Sequence, residues 1–421
     1  MDMKKYCFLF AAFFMLTACS NDLPEPEHRR ANTQLSGNLF GIEYDDYDFD
    51  AGVAYYNRHL PREKAACSEV RKGNFIGRNL DYYINRNACA IIKVNANEKR
   101  FASIGVAGCS KEFSSDLAVS GEFDSIYMYL PCRTADGINE NGVYIGVNIM
   151  PTGETSFDST TWVTDEWGHS AYFTNTASDT AYCVMYLNRF VLDNARSVDH
   201  ALELIESVSW YDPVDYPSKD HTQAFHWMLA DEKRNCILEF IDNKLVVTEA
   251  KDLQKPSLGT IMTNFTNAVY DKGLMQISGI GYERYDILTN YYDSIPETFS
   301  GMEELMQKVW YSHFYTIEPG SDDFWLGEFA SASMPSWLLY KNHDIWDSQA
   351  YSEAIQTAVD RWNDPGLWYV DDTPLWFTVH TSIYDLKARK LHMLPHEGRG
   401  GVRTYQDFDL NSSFAKPLAV K

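Results

Sequence analysis

The run AACSEVRKGNFIGRNLDYY, from Ala65 to Tyr83, gathers a thiol, a guanidinium and a carboxylate in one short segment. Lys72-Gly73-Asn74 is a strong turn signal between SEVR and FIGRN, so the flanks are expected to fold back as an antiparallel hairpin. In any register that hairpin brings Cys67 to the segment Arg78 to Asp81. Chemistry follows if the chain is cut between Ala66 and Cys67. The new α-amine, with an unperturbed pKa of about 7.7–8.0, would share a residue with the thiol and act as its general base. Arg78 would stabilise the thiolate, and Asp81 would orient the amine. Small Ala65 and Ala66 leave the cut uncrowded. The same three residues also read as a buried strand cysteine beside an ordinary ion pair, so spacing leaves both readings open.

The surrounding elements must hold that hairpin. CAIIKV (89–94) and FASIGVAG (101–108), around NANEKR, read as a hairpin, as do IYMYLPC (126–132) and VYIGVNIM (143–150) around TADGINENG. Helical periodicity covers 181–208, with Ser197 as N-cap of VDHALELIESV. The run 226–250 reads as three strands with turns at Asp231–Asn235 and Asp242–Lys244. WFTVHTSIYDLKARKLHML (376–394) forms a further hairpin. Strands with helices in blocks indicate an α+β, layered-sheet fold.

The 421 residues are 45% hydrophobic and carry a formal charge of -23. That is enough apolar material for a large core, and too acidic a surface for phosphate backbones, so no nucleic-acid partner is expected. Lys4 and Lys5 precede the apolar run CFLFAAFFMLTA, which is too short to span a bilayer stably. Leu16-Thr17-Ala18-Cys19 resembles the lipobox of bacterial lipoproteins, whose cysteine is acylated. Export as a membrane lipoprotein, periplasmic or at the cell surface, is the expectation, with membrane contact through a lipid on Cys19 before processing and release after a cut before Cys67 unless the 20–66 segment packs on the domain. Polar, Pro-bearing NDLPEPEHRRANTQLSGN suits a tether. The aromatic-rich run that follows, up to Ala66, has the composition to pack on something. Cys89, Cys109, Cys132, Cys183 and Cys236 are widely spaced with no C-x-x-C, which argues against a zinc site and leaves any disulfide pairing open. His392 and His396 are four apart, but Leu394-Pro395 breaks a helix between them, so no metal pair is expected.

CSEVRKGNFIGRNLDYY resembles the mature start of the choloylglycine hydrolase family, amidases with an N-terminal nucleophile that include bile salt hydrolases and penicillin V acylases. DGINENGVYIGVNIM (136–150), FHWMLADEKRNCILEFIDNKLVV (225–247), IMTNF (261–265), YERY (282–285) and TSIYDLKARKLH (381–392) resemble further family segments in the same order. The resemblance implies Cys67 as nucleophile and N-terminal amine, flanked by Arg78 and Asp81. It implies Asn148 and Asn264 as oxyanion-hole residues and Arg284 as part of the polar cluster. It also implies a four-layer αββα N-terminal nucleophile hydrolase fold, hydrolysis of a linear amide through a thioester, and no cofactor or metal. The interval from Asn264 to Arg284 is shorter than in members whose loop there builds a tetramer, which argues against that tetramer while leaving a homo-oligomer open.

The expected organisation is a signal peptide at 1–18, a tether or propeptide at 19–66, the hydrolase domain at 67–400 and a tail at 401–421. Conjugated bile salts are the expected substrates, because some penicillin-cleaving relatives carry Tyr where this chain has Asn148. Penicillin V or another N-acyl amide is the alternative. A cell-surface binding lipoprotein with an inert Cys67 is the reading from another class. The aromatic run 324–346 has no counterpart in the family pattern and fits a substrate groove, a lid or core packing.

Overall fold

The computed structural model describes residues 30–36, 39–58, 66–83, 89–107, 130–150, 163–164, 170–173, 178, 180–212, 224–241, 244–272, 282–309, 369–370, 373–374, 376–395 and 404–414. Two sheets carry the fold. The larger has nine strands in the spatial order β1 (Arg30–Ser36), β2 (Leu39–Tyr44), β5 (Cys89–Val94), β6 (Ser103–Ala107), β7 (Thr134–Asn139), β8 (Tyr144–Met150), β13 (Ala224–Ala230), β14 (Asn235–Ile241) and β15 (Lys244–Thr248). The smaller has six, in the order β16 (Ile261–Met262), β3 (Ala66–Lys72), β4 (Phe75–Tyr83), β19 (Trp376–Asp385), β20 (Lys390–Pro395) and β21 (Gln406–Asp409). Short strands β9 (Val163–Thr164), β10 (Ser170–Phe173), β11 (Ala181–Cys183) and β12 (Ser209–Asp212) form a side sheet, and β17 (Tyr369–Val370) pairs with β18 (Thr373–Pro374).

Period-two alternation sorts the side chains of these strands into layers. Cys67, Ile76 and Leu80 of the smaller sheet meet Ile91, Ile104, Ile138, Tyr144 and Met228 of the larger in one core between the sheets. Ile145, Trp227 and Leu229 point the other way. They pack under helices α2 (Leu187–Asn194) and α3 (Val198–Ser207), against Leu187, Val191, Ala201 and Ile205. Val70 and Ile383 leave the smaller sheet toward α5 (Tyr282–Tyr292) and α6 (Phe299–Gln307), where Leu288, Met302 and Leu305 cover them. Helix, sheet, sheet, helix is the αββα order expected. Among the described residues the other α-helices are α1 (Phe49–Arg58) and the short α4 (Asn267–Asp271).

Several elements follow the sequence reading closely. The 66–83 hairpin turns at Gly73–Asn74, and the hairpins β5–β6 and β19–β20 and the three strands β13 to β15 form where expected. Ser197 caps α3, its hydroxyl accepting from the His200 N–H at 3.1 Å. Others differ. The hairpin expected over 126–150 is displaced, with Leu130–Arg133 forming a 3-10 turn and Thr134–Asn139 the strand. Asp136 and Gly137 signal a turn in sequence. In the fold, Gly137 lies opposite Gly105 where two backbones approach, and Asp136 meets a guanidinium from the other sheet. The helical stretch 181–208 opens with β11 and breaks into two helices at Ala195–Ser197.

Residues 39–58 and 404–414, read as tether and tail, contribute strands to the two sheets: β2 joins the larger and β21 the smaller. Their apolar residues Leu39, Ile42, Tyr44 and Phe408 are buried. Among the described residues Cys67, Cys89, Cys132, Cys183 and Cys236 are all buried. Cys19, Cys109, His396 and the run 324–346 lie outside the described residues. No described helix is long and apolar enough to cross a membrane.

Candidate active site

Strand β3 presents Cys67 in two directions. Its side chain enters the space between the sheets, where Arg78 Nη2 lies 3.5 Å from Sγ. Its backbone N–H leaves the ladder and donates to Asn264 Oδ1 at 3.1 Å. Thiol and nitrogen are thus served by different groups.

Arg78, on β4, is fixed by the larger sheet. Nη1 bonds Asp136 Oδ2 of β7 at 2.5 Å, and Nη2 donates to the Val147 carbonyl of β8 at 2.7 Å. Its Nε lies 3.9 Å from Glu69 Oε2. One guanidinium therefore pins the two sheets together beside the thiol. Tyr384 and Ser382 also donate to Asp136, and Tyr144 donates to Glu69 Oε1. Gly146 on β8 makes room for this group: a Cβ there would overlap Glu69 Oε1 and the Tyr144 hydroxyl.

The nitrogen side is built from Asp81, Arg284, Asn264 and Thr378. Arg284 of α5 bonds Asp81 Oδ2 through Nη1 and Asn264 Oδ1 through Nη2, both at 2.5 Å. The bulge of β19 between Thr378 and His380 aims the Thr378 hydroxyl at Asp81 Oδ1, 2.6 Å away. Asn264 Oδ1 thus accepts from both the Cys67 N–H and Arg284, which fixes the orientation of its amide.

The segment bearing Asn264 is braced on both sides. Asn148 Nδ2 donates to the Met262 and Thr263 carbonyls at 3.2 and 3.1 Å. His226, opposite Asn148 on β13, places Nε2 2.8 Å from the Thr263 carbonyl; a carbonyl only accepts, so this nitrogen carries a hydrogen. Beyond Asn264, Glu239 of β14 accepts the Asn267 and Ala268 N–H groups at 2.6 and 2.9 Å and faces His226 Nδ1 at 3.4 Å. A buried carboxylate thereby meets the unsatisfied donors that open α4.

Burial sets the protonation of the cluster. It pushes the Cys67 thiol up to about 11 against the opposing Arg78 charge, so the uncut chain holds a neutral thiol at neutral pH. It pushes Glu69 up to about 8, with Arg78 and the Tyr144 hydroxyl pulling the other way. Asp81 rises to about 6, again by burial, and stays ionised at neutral pH beside Arg284.

The structure brings all six expected residues together. Cys67, Arg78, Asp81, Asn264 and Arg284 are joined by direct contacts, and Asn148 touches the same segment through backbone carbonyls. All are buried. Asn148's side-chain amide N–H group is spent on those carbonyls, so its side chain braces the loop, and an oxyanion role for Asn148 would fall to its backbone N–H. Sequence reading missed Glu69, Asp136, Thr378, His226 and Glu239 as parts of the site. Asp136 was hidden in a turn-like DG pair, and Glu69 could have been found by noting an acidic residue two positions from Cys67 on the same strand face. The other three come from distant strands and left no local signal. Among the described residues no group of three or more metal-ligating side chains converges.

Two sheets thus lie between helical layers, with Cys67 the second residue of β3, an inner strand of the smaller sheet. Residues 66–269 match the family model described as linear amide C-N hydrolases, choloylglycine hydrolase family. That match covers nearly half of the chain and marks it as an enzyme acting on linear amides. No curated protein matches the chain. Among solved structures it is similar to a mutant of the conjugated bile acid hydrolase from Clostridium perfringens. The two are 15% identical over 83% of this chain and 94% of that one, with a TM-score of 0.39. It is also similar to the penicillin V acylase from Agrobacterium tumefaciens, at 12% identity over 82% and 86% and a TM-score of 0.32. Likeness at that level carries no argument about substrate.

Proposed function

We propose that Cys67 becomes the amino-terminal residue by cleavage after Ala66 and then hydrolyses a linear amide through a thioester. The thiol proton passes to the new α-amine as Sγ attacks the substrate carbonyl. The resulting oxyanion is met by fixed donors, for which Asn264 Nδ2 is the first candidate. Collapse breaks the C–N bond, the departing amine takes the proton from the α-ammonium, and the acyl group remains on sulfur. Water, deprotonated by the α-amine, then releases the acid and restores the thiol. Arg78 steadies the thiolate, while Asp81 and Arg284 hold Asn264 and with it the amine.

One observation carries this reading: the Cys67 nitrogen rests on Asn264 Oδ1 at 3.1 Å while Arg78 stands 3.5 Å from its sulfur. An α-amine formed at that nitrogen would already have its acceptor, and cutting supplies the base that the neutral thiol of the uncut chain lacks. Glycine or taurine conjugates of bile acids are the proposed substrates, and penicillin V or another N-acyl amide the second choice. Export through a lipidated Cys19 is part of the same proposal.

The test is denaturing mass spectrometry of the purified protein, followed by assays on glycocholate, taurocholate and penicillin V. A chain beginning at Cys67, with activity abolished in Cys67→Ala, is the expected result. An active species still carrying Ala66, or Cys67→Ser working as fast as the parent, overturns the mechanism. An uncut and inactive protein that retains amphipathic ligands would point to the binding lipoprotein instead.

A further inference from the structure

Residues 39–58 precede the proposed cut, yet most of what holds them lies after it. β2 runs parallel to β5 through six opposed positions, from Leu39 opposite Cys89 to Tyr44 opposite Val94. Leu39 enters the core between the sheets with Cys89 and Ile91. Phe40, Ile42, Tyr44, Tyr47 and Val53 form a second apolar cluster with Ala90, Ile92, Val94, Leu130, Cys132 and Tyr186.

Polar contacts close the edge of this cluster. The Arg100 guanidinium stacks 3.9 Å from the Tyr47 ring centroid, bonds Asp46 at 3.0 Å and donates to the Tyr47 carbonyl at 2.7 Å. The buried Tyr47 hydroxyl donates to Asp193, which Arg189 holds at 2.6 Å. Lys93 bonds Glu43 at 3.0 Å, the Asn95 N–H donates to the Tyr44 carbonyl at 2.8 Å, and the Phe414 N–H donates to Glu43 Oε2 at 3.2 Å. The Phe414 ring lies so close over Gly41 that any Cβ there would overlap it. None of these contacts uses the peptide bond between Ala66 and Cys67.

We propose that the segment before the cut is not discarded but stays as a noncovalent subunit of the hydrolase, completing its larger sheet through β2. Departure of β2 would turn β5 into an open edge and bare the apolar faces of Ala90, Ile92 and Val94, an arrangement prone to edge pairing and aggregation. The proposal rests on the cleavage reading above for its biological occasion and on the β2–β5 interface for its physics. A consequence follows for location: a lipid on Cys19 would remain with the enzyme after processing, because its segment remains docked.

The experiment separates the two. In the full chain, residues 60–65 are replaced by the recognition sequence of a site-specific protease, and the purified protein is cut with that protease. Denaturing electrophoresis establishes two fragments, and native size-exclusion chromatography asks whether they travel together. Co-elution at the volume of the uncut chain is expected, with separation only where urea unfolds the parent. Tyr47→Phe keeps the ring and removes the hydrogen bond to Asp193; it should speed loss of the small fragment roughly tenfold or more. Elution of the small fragment on its own under native conditions, whether the large one stays soluble or aggregates, overturns the proposal. Natural processing is read separately, from the mass of the unmodified protein. A chain found uncut there defeats the mechanism of Cys67 and leaves the docking result to stand or fall alone.

Discussion

Among single residues, the site divides its labour between the two ends of Cys67. Sulfur faces Arg78, which the Asp136 carboxylate fixes, and nitrogen faces Asn264, which Arg284 holds while it is itself paired with Asp81. Replacing Asn264 by Ala removes the acceptor of the Cys67 nitrogen and the candidate oxyanion donor. Steady-state kinetics of the processed enzyme should show kcat down by about 10²–10³, and an unchanged kcat would remove Asn264 from the mechanism. Glu69 gives a prediction for stability. Folded, it keeps its proton to about pH 8; unfolded, it loses it near 4.5. Between those values the native chain binds more protons than the unfolded one, so stability falls as pH rises and levels off above about 8. Asp81 adds a fall in the same direction between 3.8 and about 6. Urea unfolding at pH 5, 6.5 and 8 should show Glu69→Gln losing less stability across the range than the parent. The limiting difference in slope is about 1.4 kcal/mol per pH unit. Equal slopes would mean that Glu69 is ionised throughout.

Among the strands and helices, two adaptations of the larger sheet matter for the site in the smaller one. Gly146 of β8 leaves room for the Glu69 carboxyl and the Tyr144 hydroxyl that bond to each other where its Cβ would stand. Gly146→Ala should cost about 1–3 kcal/mol in chemical denaturation, since both neighbours are buried and have nowhere to move. Adding Glu69→Ala should return part of that loss, and strict additivity would place the clash elsewhere. Glu239 caps α4 from a neighbouring strand, and with His226 it holds both flanks of Asn264. Glu239→Gln keeps the shape and weakens the cap. A loss of about 1 kcal/mol with a lower kcat is expected; a stability loss with kcat intact would confine the brace to folding.

Across the molecule, a formal charge of -23 on 421 residues makes compaction work against self-repulsion. Raising the salt from about 0.01 to 0.15 M shortens the Debye length from about 30 to 8 Å. The thermal midpoint should rise accordingly, and a midpoint that falls would assign more weight to the surface ion pairs around Arg234 and Lys251. Elements with local signals were legible in the residues themselves. The Cys67 hairpin could be read from Lys72-Gly73-Asn74, α3 from Ser197, and β13 to β15 from alternation broken by polar turns. The ordered motifs also named six residues that prove to be neighbours. Which groups complete the site became visible only in the assembled fold. Arg78 finds Asp136 58 positions away, Arg284 finds Asp81 across 203, and Thr378 finds Asp81 across 297. Such pairings depend on strand order and on a bulge in β19, and neither leaves a periodic trace in the residues concerned. Membership of β2 in the sheet was hidden for the same reason. A six-residue strand that joins β5 in parallel takes its place from a partner 50 residues downstream, so the aromatic-rich run that holds it could be read as able to pack on something but not on what.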